Sequence, residues 1–120
     1  MDSWKVLMAA FSVISRRVGR VHFLTPVGRL DLDTAPVLQR YFDAVESSNA
    51  AIIVVNLSRL TTVDSAGIDL LLALDEACGG EAGRLRVING SRPIGRVVDV
   101  AGVRDRLPIV AKGTADPTPI

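Results

Sequence analysis

The stretch "AAIIVVNLSRLTTVDSAGIDLLLALDEA", residues 50–77, decides the fold. It opens on a β-branched run, Ile52 to Val55, without polar alternation, the pattern of a central strand covered on both faces. It closes on Ile68, Leu71, Leu72 and Asp75 at helical spacing, with Leu74 and Cys78 alongside and Asp69, Ala73 and Glu76 on the opposite side. This spacing predicts a helix over 68–78, stopped by Gly79-Gly80. Between strand and helix stands Val63-Asp64-Ser65-Ala66-Gly67, a polar interruption between two apolar segments.

Upstream, 11–18 and "VHFLTPVGRL" (21–30) read as two strands joined at Gly19-Arg20, a hairpin. Pro26 cannot donate to a ladder, so the second strand is expected to bulge there or to expose that side of its backbone. "DLDTAP" (31–36) reads as a helix start, capped by Asp33 or Thr34, with Pro36 tolerated in the first turn. Val37, Leu38, Tyr41, Phe42 and Val45 continue it as one apolar stripe, ending near Ser47-Ser48-Asn49.

Downstream, "RLRVING" (84–90) reads as a strand and "RPIGRVVDVAG" (92–102) as a helix stopped at Gly102. "LPIV" (107–110) reads as a short last strand. The order β-β-α-β-α-β-α-β predicts a single α/β domain over 11–110, a mixed sheet of about five strands whose later strands run parallel through right-handed helical crossovers. Residues 1–10 form an N-terminal extension whose apolar stretch, Trp4, Val6 and Leu7, packs on its own domain or on another chain. Large apolar side chains more often cover core. The tail 111–120 is polar and proline-bearing and is expected to be disordered.

Composition removes several functions. Fourteen basic against thirteen acidic residues give a net charge of +1, so nothing favours nucleic acid or an anionic membrane as the main partner. No apolar run reaches the length of a membrane span and the N-terminus lacks a signal-peptide pattern, which predicts a cytoplasmic protein without membrane insertion. The single cysteine, Cys78, falls in an apolar helical pattern and reads as a packed thiol.

The loop at 63–67 lies where open α/β sheets gather functional groups, beyond the carboxyl end of a strand. Its bland reading is a helix cap by Asp64 or Ser65, with Gly67 easing a tight turn. A serine nucleophile fits poorly: Val63 stands where the nucleophile elbow needs glycine, and the one histidine, His22, sits in a strand pattern away from Ser65. "GGEAG" (79–83) lacks the Gly-Lys-Ser/Thr ending of a phosphate loop. No His or Cys cluster suits zinc. Asp31, Asp33 and Asp64 are carboxylates of the kind that gather around a hard cation, though solvated loop carboxylates are commoner. The expectation is no metal, no cofactor and no catalysis.

"GRLDLDTAPVLQRYFDAV", then "AIIVVNLSRLTTVDSAGIDLLLAL", then "LRVINGSRPIGRVVDVAGVRDRLPIV" resemble in order and spacing the STAS domain of bacterial anti-sigma factor antagonists. The most specific element is Asp-Ser-x-Gly after the central strand, supported by Gly-x-Leu-Asp at Gly28 to Asp31. Asn56 stands where the family more often has aspartate, and Ala66 where serine is frequent.

The resemblance implies a regulatory binding module, not an enzyme. Its partner would be an anti-sigma factor with serine kinase activity, which phosphorylates the motif serine, here Ser65. The unphosphorylated protein would bind that partner and free a sigma factor. Carried over, the partner-binding surface comprises Asp31 and Thr34 before the first helix, and Asp64, Ser65, Ala66, Gly67 and Asp69 at the start of the second. A monomer or weak homodimer is expected. The alternative within the family is a scaffold subunit of a stress-sensing or lipid or anion transport complex that never switches.

Overall fold

A computed structural model of the protein describes residues 11–48, 50–79, 83–102 and 106–110. The N-terminal extension and the polar tail lie outside these residues. The chain opens with β1 (Ser12–Val18) and β2 (Val21–Leu30), an antiparallel hairpin in continuous register from Val18↔Val21 to Ser12↔Val27. Gly19 takes φ 61 in the connection, a left-handed value that a two-residue hairpin turn needs and that a side chain would oppose.

Helix α1 (Ala35–Ser47) follows, with Leu38, Phe42 and Val45 buried as the stripe requires. Tyr41, expected in that stripe, is exposed at its margin. Strand β3 (Ile52–Asn56) runs parallel to β2 and leads through a single 3₁₀ turn (Leu57–Arg59) into β4 (Leu60–Val63). Then come α2 (Ser65–Ala77), β5 (Leu85–Ile88), α3 (Arg92–Ala101) and β6 (Ile109–Val110). Gly102 stops α3 as expected.

The sheet runs β1-β2-β3-β5-β6, parallel beyond the first pair, as the element order predicts. Strand β4 is an addition to that expectation. It pairs with the far end of β2, where Arg29 meets Thr62 and Leu30 meets Val63. Strand β2 therefore has two parallel partners in succession, β3 along Val21–Leu24 and β4 along Gly28–Leu30, and Pro26 falls in the gap between them. The register shift lies between Gly28 and Arg29, just beyond the proline where a bulge was expected.

Helix α2 begins three residues earlier than its apolar spacing suggests, at Ser65. Asp64 is the only residue between it and β4, so the polar interruption is the first turn of the helix rather than a loop. Ile68, Leu71 and Leu74 are buried along it, and Cys78 is a buried free thiol just past its end.

The three helices found among the described residues contribute Leu38, Phe42, Leu71, Leu74, Ile94 and Val98 to one core. The sheet meets them with Leu24, Ile53, Val55, Leu85 and Val87. Leu24, Val55 and Val87 align across β2, β3 and β5, as do Ile53 and Leu85, so these side chains share one face. The alternate residues, Phe23, Val54 and Arg86, align on the other face. Val54 is fully buried yet belongs outside the helix-covered core. The expectation of cover on both faces of β3 is thus met by helices on one side only among the described residues.

Candidate functional site

Because β2 and β4 are parallel and in register at Leu30↔Val63, the segments that follow them emerge side by side. The amide of Asp64 donates to the carbonyl of Leu30 at 3.2 Å and ties the two together. Gly67, one helical step further, is buried against the same place. A Cβ there would stand 2.6 Å from Val63 Cγ2 and 3.0 Å from the Leu30 carbonyl oxygen. The absence of a side chain lets α2 sit directly on the end of β2.

The start of α1 is held from within. Asp31 Oδ1 accepts the amides of Asp33 at 3.0 Å and Thr34 at 3.1 Å, which closes the turn that leads into α1 without bonding an amide of the helix itself. Thr34 occupies the cap position without bonding an amide of the helix. Its hydroxyl donates to the Arg29 carbonyl at 2.6 Å and accepts the Asp31 amide at 2.9 Å. Thr34 is only 7 % exposed. It braces the turn from inside and is withdrawn from the surface that the sequence assigned it to.

At α2 the division of labour is clear. Asp64 caps the helix: Oδ1 accepts from Gly67 N–H at 3.0 Å and its carbonyl from Ile68 N–H at 3.0 Å. Ser65 is the first helical residue, exposed, and its hydroxyl has no hydrogen-bond partner among the described residues. The amides of Ser65 and Ala66 precede the first intrahelical bond and face the helix end, where the backbone dipole favours negative charge. Of the seven predicted surface residues, Asp64, Ser65 and Asp69 are exposed, Asp31 and Ala66 half-buried, and Thr34 and Gly67 buried.

The chain's one histidine does not accompany Ser65. His22 lies eight residues before Leu30 on β2, about 26 Å at the rise of a strand. Its Nε2 is 2.7 Å from Ser15 Oγ, and burial, helped by the nearby Arg17 charge, lowers its pKa. Asp31, Asp33 and Asp64 form no group able to hold a metal ion, and none exists among the described residues. No helix there is long and apolar enough to cross a membrane.

The family model described as "Mlab, STAS domain" matches residues 16–111, most of the chain and both clasped loops. The chain belongs to the STAS domain family. This STAS domain is 28 % identical over 78 residues to the anti-sigma-B factor antagonist of Staphylococcus epidermidis, covering 65 % of this chain and 72 % of that one. Among solved structures it resembles an anti-sigma factor antagonist from Mycobacterium paratuberculosis, with a TM-score of 0.76 and 25 % identity over 90 % of each chain. It also shares the fold of the anti-sigma factor antagonist SpoIIAA in its unphosphorylated form, with a TM-score of 0.68 and 22 % identity, covering 88 % of this chain and 92 % of that one.

Asn56, the departure at the end of the central strand, is at no loss locally. Its Oδ1 accepts the Ser58 amide at 3.0 Å and caps the 3₁₀ turn, a bond that an aspartate would make through the same atom. What the sequence reading missed is the clasp itself, Leu30 against Asp64 and Gly67. Its one signal is a glycine in the first turn of an otherwise strong helix former.

Proposed function

We propose that this STAS domain is an anti-sigma factor antagonist of the switching kind. It binds an anti-sigma factor that carries serine kinase activity, releases a sigma factor, and loses that partner when Ser65 is phosphorylated. The protein is itself no catalyst and works in the cytoplasm. The observation that carries the reading is the separation of roles at α2: Asp64 does the capping, and the Ser65 hydroxyl is exposed and unused by the fold. The names of its relatives support an anti-sigma factor as the partner.

A phosphate on Ser65 adds about −1.5 to −2 charges at neutral pH. The free amides of the first helical turn favour that charge, so the domain stays folded. At an interface the same charge is unpaired, beside the carboxylate of Asp64, which costs roughly 3 kcal/mol or about a hundredfold in affinity. A surface of Asp31, Asp64, Ser65, Ala66 and Asp69, braced from below by Thr34 and Gly67, is the contact that changes.

The test is a comparison of Ser65→Ala and Ser65→Glu in a pull-down from the native cytosol, followed by affinity measurement on the purified partner. The alanine form is expected to retain an ATP-binding anti-sigma factor, and the glutamate form to bind it at least about tenfold more weakly. Equal affinities would remove the switch. Retention of the same scaffold or transport subunits by both forms would make this a non-switching STAS module.

A further inference from the structure

The sheet face opposite the helices carries a trough of about 380 Å³, open on its outer side among the described residues. Its lining is mixed. Ile14, Val18, Phe23 and Ile88 form apolar walls, while Arg16, Thr25 and Asn56 add a cation, a hydroxyl and an amide. Ile14 stands opposite Thr25, Arg16 opposite Phe23 and Asn56 opposite Ile88, so each polar group has an apolar neighbour on the next strand.

The fold leaves these polar groups available. Arg16 and Thr25 have no hydrogen-bond or ion-pair partner among the described residues. Asn56 caps the 3₁₀ turn through Oδ1, which leaves its Nδ2 hydrogens for another acceptor. No strand among the described residues contains an aspartate or a glutamate, so the Arg16 charge has no counter-ion within the sheet. Arg86, on the same face, is already engaged: its Nη1 donates to the carbonyls of Gly83 at 2.9 Å and Leu85 at 2.7 Å.

A guanidinium and a side-chain amide N–H offer donors, and a hydroxyl can add a third, so the ligand atom they suit is a charged oxygen. A single positive charge is matched by the single negative charge of a carboxylate, whereas a phosphate monoester brings about −1.5 to −2. The apolar walls suit an apolar body. The volume lies at the small end of the roughly 300–1,000 Å³ of small-molecule sites.

We propose that this trough binds a small organic carboxylate with an aromatic or aliphatic body. Arg16 holds the carboxylate, Thr25 and Asn56 donate to ligand oxygen, and the body packs on Phe23 and the aliphatic walls. The site stands apart from Ser65 and does not rest on the switch. Because Asn56 also caps the 3₁₀ turn that leads into β4, the trough adjoins the segment that ends at Asp64.

The test is a titration of the full-length, isotope-labelled protein with phenylbutyrate, followed through the backbone amide shifts. Saturable shifts are expected at the strand residues that line the trough. Phenylbutyramide removes the charge, acetate removes the body and phenyl phosphate changes the head group, and each is expected to bind at least about tenfold more weakly. Arg16→Gln, at an exposed position, is expected to weaken phenylbutyrate by a similar factor. So is Asn56→Asp, which keeps the Ser58 bond and places a negative charge in the trough. Val100→Asp, at an exposed site on α3, is expected to bind as the wild type does. Should Asn56→Asp not fold, Arg16→Gln and the uncharged analogue still decide. The proposal is overturned if millimolar phenylbutyrate gives no saturable shift at the trough, if the shifts centre elsewhere, or if both trough variants keep the wild-type affinity. Equal or tighter binding of phenyl phosphate would overturn the assignment of a carboxylate.

Discussion

The backbone amide of Asp64 donates to the carbonyl of Leu30, so the residue that caps α2 is fastened to the last residue of β2. Two segments distant in sequence thereby form one rigid edge. Asp31 follows Leu30 directly, and Ser65 follows Asp64. A charge added at Ser65 cannot be relieved by letting the α2 terminus drift away, because the drift would break the clasp and lift Gly67 off the strand end. The surface has to present the charge to whatever binds there.

Gly67→Ala tests the closeness of that clasp. Alanine is the better helix former by about 1 kcal/mol. Its methyl carbon would have to fit 2.6 Å from Val63 Cγ2, a stiff β-branched side chain, and 3.0 Å from a backbone oxygen. Overpacking of this kind costs about 1–3 kcal/mol, so net destabilisation and a fall of several degrees in the thermal midpoint are expected. A midpoint equal to or above that of the wild type would show that the helix end has room to move.

Asp64→Ala and Ser65→Ala, compared by urea unfolding, separate cap from switch. Loss of the Asp64 side chain frees the Gly67 amide and is expected to cost about 1 kcal/mol. Loss of the exposed Ser65 hydroxyl is expected to stay within about 0.5 kcal/mol of the wild type. The opposite ranking would make Ser65 the structural residue and weaken its assignment as the regulated one.

His22 predicts a pH dependence. Burial and the neighbouring Arg17 lower its pKa below the ordinary 6.5, and its Nδ1 is enclosed without a hydrogen-bond partner, so protonation would bury an N–H with no acceptor. Above pH 6.5 the ring is neutral in both folded and unfolded chains. As the pH falls below 6.5 the unfolded chain binds a proton that the folded one does not, and stability declines until the depressed folded value is passed. His22→Gln is expected to flatten this part of the profile relative to the wild type. Parallel profiles from pH 7.5 to 5 would show that the ring titrates freely.

The parts of the fold carried by repeated side chains could be read directly. The Leu38, Phe42 and Val45 stripe, the continuous Ile52–Val55 run and the Gly102 stop each repeat a local physical rule. Strand β4 could not be read this way, because Leu60-Thr61-Thr62-Val63 buries only its two ends and finds its partner far upstream on β2. The helix start was legible at Asp64 and Ser65, where a capping acid and a serine stand in sequence before an apolar run. The burial of Thr34 was not legible: a hydroxyl beside a helix start looks like surface, and only the folded chain shows the Arg29 carbonyl that draws it inward.

The double pairing of β2 also says where this chain tolerates a change of length. One residue inserted between Leu24 and Gly28 would turn every side chain on one half of the strand to the wrong face, misaligning it with β3 or with β4. The ten residues from Val21 to Leu30 act as a fixed ruler between the hairpin turn and the start of α2. Relatives that differ in length are expected to have gained or lost residues at the Gly19-Arg20 turn or between α2 and β5, and to keep that ruler uncut.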